Sequence, residues 1–281
     1  MSDSNRQPTS KADSTLPLHT SCPYTFTQII DADHFTIQRL AGSIRKAISS
    51  TLPSPTEAKP PTTTQIRSTL GHLNPPLLEA TWRLIRHDFS EEMVMRPAFA
   101  SVLGEEGRRM AEHDRMDHEN GRQALISVLA KLESLNKAGA ASGTEVDFIQ
   151  NFQEMAESIT STLDDLGKHM AIESGEFLPH FESIIDKATS TRLAEEYAAT
   201  LVLSPFVMSA SSFDADHKLV FKDVRSYIMT PLAQMRQLYN QHVANAAADP
   251  RCLRHMESDV EKEIERLQVG RWPPGNGRGK L

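Results

Sequence analysis

LIRHDFSEEMVMRPAF, residues 84–99, and LDDLGKHMAIESGEFLPHFE, residues 163–182, carry the same device: a histidine, a glutamate four residues later, and a proline beyond. Four residues advance an α-helix by one turn plus about 40°, so His87 with Glu91, and His169 with Glu173, each point to one side of their helix as a pair. Both pairs fall inside apolar stripes. The first reads Leu77, Ala80, Leu84, His87, Glu91, Val94, Ala98, and the second Phe148, Phe152, Met155, Ile159, Leu166, His169, Glu173, Glu176. Alternating steps of three and four mark the inward face of a bundle helix.

Two further stretches have the same character. IIDADHFTIQRL, residues 29–40, belongs to the stripe Ile30, His34, Ile37, Ala41, Ile44, Ile48. MAEHDRMDHENGRQAL, residues 110–125, belongs to Asp114, His118, Gly121, Leu125, Val128, Leu132. A lone histidine on an apolar stripe is usually a satisfied core residue. Here each of four long helices places one there, and two add a carboxylate a turn later. Buried carboxylates are costly unless paired or bound to metal. Imidazole and carboxylate without thiolate suit iron, manganese or zinc. Four histidines and two or three carboxylates exceed what one ion takes, so two bridged metals are expected, and bundle cores host such sites.

These four segments resemble the hemerythrin-like, or HHE cation-binding, family, most of all its intracellular fungal branch. The resemblance covers about residues 25–186 and continues weakly to about 240. It implies an all-α fold, a hemerythrin-like up-down four-helix bundle with additional C-terminal helices. The ligand set it implies is His34, His87, Glu91, His118, His169 and Glu173, with Glu91 and Glu173 bridging two iron ions. It further implies binding of dioxygen or iron, or, as the alternative, a diiron oxidase or oxygenase acting on a small organic molecule. Oxygen carriers of the family have two histidines four apart on the third helix, where this chain has Asp114 before His118. They also step five residues to an aspartate on the fourth helix, where this chain steps four to Glu173. A reversible carrier is therefore not assumed. Asp114 is read as a further ligand or an acceptor orienting His118, and Glu176 as a residue reaching the site or its mouth. His113 lies about 140° around the helix from His118 and should not share the site. His72, just before Asn-Pro-Pro, is a poorer first-helix ligand than His34.

Working outward, residues 1–22 and 269–281 read as polar tails and 51–75 as a Pro-rich insertion. The bundle spans 23–188 and a helical extension 189–268. Pro75 and Pro76 are expected to open the second helix after a short turn at 64–71, which then stops near Gly104. Ala194 to Val207 is apolar enough to pack over the bundle and gate its core, and 204–216 looks irregular. The 281 residues carry 30 Lys plus Arg against 37 Asp plus Glu, a net charge of −7, which argues against a nucleic-acid partner. No apolar run reaches the roughly 20 residues of a membrane span, and no apolar leader opens the chain. Two distant cysteines make no disulfide framework. The expected location is cytoplasmic. The ending Gly279-Lys280-Leu281 resembles a peroxisomal signal with Gly in place of Ser, beside the plainer reading of a disordered tail.

Overall fold

The computed structural model describes residues 22–52, 60–138, 144–205, 221 and 223–270. Expectations for most of both tails, for residues 53–59 of the insertion, and for most of 204–216 lie outside the described residues. Within them the chain is helical and no strand occurs.

Four rods form the bundle. The first is α1, Phe26–Ser49. The second is α2, Thr63–Ser90, continued by a π turn, Glu91–Met95, and by α3, Arg96–Val102. The third is α4, Glu105–Ala138. The fourth is α5, Glu145–Ile172, a π turn, Glu173–Phe177, and α6, Leu178–Glu182. Capping boxes fix three starts: Thr25 with Gln28, Thr62 with Gln65, and Thr144 with Asp147. The up-down order is visible in the pairings. Along α1, Thr27 meets Glu182, His34 meets Ser174, and Arg45 meets Asp164, so α1 and the fourth rod run antiparallel. Asp33 meets Arg86 and Thr51 meets Thr69, so α1 and α2 do too. Gly104, in the left-handed region with φ 61°, makes the reversal from α3 to α4. Gly107 lets α4 start against α3, since a Cβ there would lie 1.9 Å from the Phe99 carbonyl oxygen.

The second helix does not begin at Pro75. Pro75 and Pro76 sit inside α2, which starts twelve residues earlier at Thr63. Each proline removes one helix hydrogen bond, at a cost of about 3 kcal/mol in an ordinary helix interior. The carbonyls concerned belong to Gly71 and His72, both exposed, so water can satisfy them. Against that stands the stripe Ile66, Leu70, Leu73 and Leu77, buried to 1% or less across the prolines. Each such side chain contributes about 1.5–3 kcal/mol on burial, so the stripe wins.

The C-terminal helices are α7, Lys187–Thr200; α8, Val224–Ile228; α9, Leu232–Ala248; and α10, Pro250–Gly270. Helix α7 packs on α1 and on the first π turn, α8 on α2, and α10 on α1, α7 and α9. Ala194, Tyr197, Ala198, Leu201, Val202 and Leu203 are all buried, so this apolar stretch packs on the bundle. No helix among the described residues is long and apolar enough to cross a membrane.

Candidate metal centre

All six expected ligands converge at mid-bundle. One group is His34, His87, Glu91 and Glu173; the other is Asp114, His118, His169 and Glu173, and within each the donor atoms lie within 4.8 Å of one another. Glu173 belongs to both. Glu91 also spans them, its Oε1 lying 3.0 Å from His87 Nε2 and its Oε2 3.0 Å from His118 Nε2. Glu173 Oε2 lies 3.3 Å from His34 Nε2 and 3.6 Å from His169 Nε2. Asp114 Oδ1 sits 3.2 Å from His169 Nε2 and 3.4 Å from His118 Nε2, so it stands among the donors and not behind them. Two imidazole pairs meet edge to face, with centroids 4.7 Å apart for His34 and His87 and 4.8 Å for His118 and His169.

The two glutamates reach this position from matching local breaks. Each starts a π turn, closed by Arg96 N–H to Glu91 O and by Leu178 N–H to Glu173 O. Pro97 and Pro179 each follow six residues after their glutamate. A proline gives no N–H to the carbonyl four residues back and pushes that carbonyl away, and an extra residue in the turn relieves this. The repeated His-x3-Glu-x5-Pro spacing was the sequence signal for it. The same break corrects the expectation for Glu176. Regular helical spacing puts it below His169 and Glu173; the π turn rotates it outward, where it is exposed, and turns Leu178 into the core instead.

Other expectations separate cleanly. His113 is 64% exposed and meets Asp117 from outside, while the cluster's own His169 holds the same carboxylate from within. His72 and His180 are exposed, and Glu92 lies at the rim between Arg96, Arg115 and Arg236.

Several buried residues escaped the sequence reading. Every residue from Thr81 to Glu91 is buried, so charges on all faces of that segment need partners. Arg86 Nη2 donates to Asp33 Oδ1 at 2.5 Å and Nη1 donates to Glu263 Oε2 at 3.1 Å. Arg96 donates to Asp114 at 2.5 Å, Asp88 at 2.7 Å and Glu92 at 3.0 Å. The outer nitrogens of three histidines are engaged: His34 Nδ1 by Ser174 at 2.8 Å, His87 Nδ1 by Tyr197 at 2.9 Å, and His169 Nδ1 by Asp117 at 3.1 Å. In each, Nε2 is the nitrogen left for the interior, the usual arrangement around ligating histidines.

The interior atoms are what a metal would satisfy. Both carboxylate oxygens of Glu91 and of Glu173, Asp114 Oδ1, His118 Nε2 and His169 Nε2 are buried with no hydrogen-bond partner. His34 Nε2 and His87 Nε2 face each other at 3.1 Å, a separation that needs a proton or a cation near both lone pairs. The donor set fits a hard or borderline cation, and the two cysteines are elsewhere and free.

The chain is 30% identical over 157 residues to an uncharacterized hemerythrin-like protein of Schizosaccharomyces pombe, an alignment spanning 56% of this chain and 68% of the relative. The chain belongs to the hemerythrin-like family. No protein-family model and no solved structure matches it. In this hemerythrin-like chain the family membership and the donor cluster agree on a helical protein whose histidines and carboxylates could hold metal.

Metal uptake should be strongly pH-dependent. Burial disfavours a charged His87, but Glu91 and Asp33 outweigh it and push its pKa up to about 10. His118 is likewise raised, against burial, by Glu91 and Asp114. Burial, then the charges of Glu91 and Asp114, hold Glu173 well above the usual carboxylate range. At neutral pH the empty centre thus holds protons that ligation must displace, so affinity rises with pH, by roughly tenfold per pH unit for each proton released. Calorimetric zinc titrations in two buffers of different ionisation enthalpy, at pH 6 and pH 8, read this directly. Equal affinity at both, without proton release, is the contrary result.

A cleft of about 590 Å³ between α4 and α5 reaches this centre. Asp117, Asn120, Ala124, Ser161, Leu166 and the ligand candidate His169 are among its lining residues. His169, at 7%, is also the most exposed of the cluster residues; the rest are at 2% or below.

Proposed function

We propose that this is a non-haem diiron protein that binds iron and dioxygen in the core of its bundle. The observation that carries the reading is the set of inward, unpartnered donor atoms on Glu91, Glu173, Asp114, His118 and His169. His34, His87, Glu91 and Glu173 would hold one ion, and Asp114, His118, His169 and Glu173 the other. Two adjacent ferrous ions with an open position supply electrons and a binding place for dioxygen. The chain's own part is to keep the pair dry and in place. Glu91 and Glu173 tie the halves together, and Ser174, Tyr197 and Asp117 hold three histidines in the orientation that presents Nε2. Burial favours the neutral, ligating form of His34. Manganese or zinc would fit the same donors. Both cysteines are unpaired, as a reducing compartment such as the cytoplasm would keep them.

A second reading, an oxidase or oxygenase, has two observations in its favour. Asp114 stands among the donors, making the centre richer in carboxylate than the oxygen-carrier pattern. The α4–α5 cleft falls within the roughly 300–1,000 Å³ of small-molecule pockets and has His169 in its lining. Its lining residues come from α4 and α5 alone.

Anaerobic loading with ferrous iron, then admission of oxygen while the visible spectrum is recorded, separates the readings. A change that reverses on degassing supports reversible binding. Irreversible oxidation supports the enzyme and directs a substrate search to the cleft. Ferrous protein indifferent to oxygen contradicts both.

A further inference from the structure

Tyr197 comes from α7, outside the four rods, yet touches the centre. It is fully buried, its ring 6.4 Å from that of Phe26, and its hydroxyl lies 2.9 Å from His87 Nδ1 and 3.4 Å from Asp33 Oδ2. Asp33 is anchored on its other oxygen by Arg86, and Arg86 in turn by Glu263 of α10. Two C-terminal helices therefore end, through one buried chain of polar contacts, on a single histidine of the centre. His34 and His169 are backed by bundle residues instead.

The direction of the hydrogen bonds follows from what each group can do. Asp33, its Oδ1 held by the Arg86 guanidinium, presents Oδ2 as an acceptor, so the Tyr197 hydroxyl donates to it. The Tyr197 oxygen is then an acceptor toward His87, and Nδ1 must carry the proton. That leaves the Nε2 lone pair aimed at Glu91 and the interior, the tautomer a metal requires.

We propose that Tyr197 is a positioning residue: it fixes the tautomer and aim of His87, so that the C-terminal helices set the metal affinity of the His34–His87 half of the centre. The inference rests on the metal reading of the cluster.

Tyr197→Phe keeps the ring and removes the hydroxyl. Zinc or cobalt(II) titration of the full-length variant should show one ion bound as in the parent chain and one weakened by about 10- to 100-fold. The cobalt(II) visible spectrum of the weakened position should change. Phe26→Leu disturbs the packing beneath the ring without touching the hydrogen bonds, and should lower the unfolding midpoint while both ions stay tight. Should Tyr197→Phe not fold, the zinc-loaded parent chain still answers: long-range imidazole 1H–15N correlations should show His87 protonated on Nδ1. Two unaltered affinities in Tyr197→Phe, equal weakening of both ions, or an Nε2-protonated His87 would each overturn the proposal. A parent chain that takes up no metal would instead refute the metal reading itself.

Discussion

Glu91→Ala should empty both halves of the centre at once. Glu91 places one oxygen against His87 and the other against His118, at 3.0 Å each, so its loss removes a donor from each side. Two ions held near each other also need the bridging charge to offset their repulsion. Affinity for both should fall by more than about 100-fold, beyond the 10- to 100-fold typical of outer hydrogen-bond partners. Asp114→Ala offers the contrast, since Asp114 stands in one group only and should cost one ion. His113→Ala should cost none, because that side chain is largely exposed and belongs to neither donor group. Metal analysis after gel filtration checks all three. Retention of one tight ion by Glu91→Ala would break the shared-ligand geometry.

The largest effect on stability should come from Arg96→Ala. Arg96 is 2% exposed and binds Asp114, Asp88 and Glu92, with Glu91 Oε2 3.9 Å away. Removing the guanidinium leaves Asp88 and Asp114 buried beside Glu91 without their cation. Breaking a buried pair in this way costs about 3–5 kcal/mol. Lysine has no planar fork and cannot serve Asp114 and Asp88 together, so Arg96→Lys should recover only part. Bound metal supplies positive charge to the same carboxylates, so the loss should be smaller in the zinc-loaded protein than in the metal-free one. Urea unfolding of both forms measures it. A metal-free destabilisation below about 1 kcal/mol would mean that the carboxylates are protonated or solvated instead.

What could be read from the sequence was whatever repeats at helical spacing. The stripes through His34, His87, His118 and His169 located four rods and their inward faces, because burial of apolar side chains imposes that period. His87 with Glu91 and His169 with Glu173 were legible as pairs for the same reason. Glu176 was misplaced because the period itself breaks at Glu173, and Pro75 misled because a buried stripe outweighs a proline facing water. Asp114 was legible as a candidate, but only its distances to His118 and His169 put it among the donors. Arg86 and Arg96 lie on faces that a one-stripe reading assigns to solvent. The segment of Arg86 is instead buried on every face, and Arg96 turns inward onto Asp88 and Asp114. Tyr197 and Glu263 reach the centre from 110 and more residues along the chain, where no spacing rule connects them to His87.

The most direct test is to count metal. The purified, metal-free chain would be titrated anaerobically with ferrous iron, and protein-bound iron measured after removal of the free ion. A sharp break at about two ions per chain, abolished by Glu91→Ala and left intact by His113→Ala, is the result expected of a centre built on two shared glutamates. No break, or weak uptake that Glu91→Ala leaves unchanged, would mean that these buried donors do not hold a metal pair.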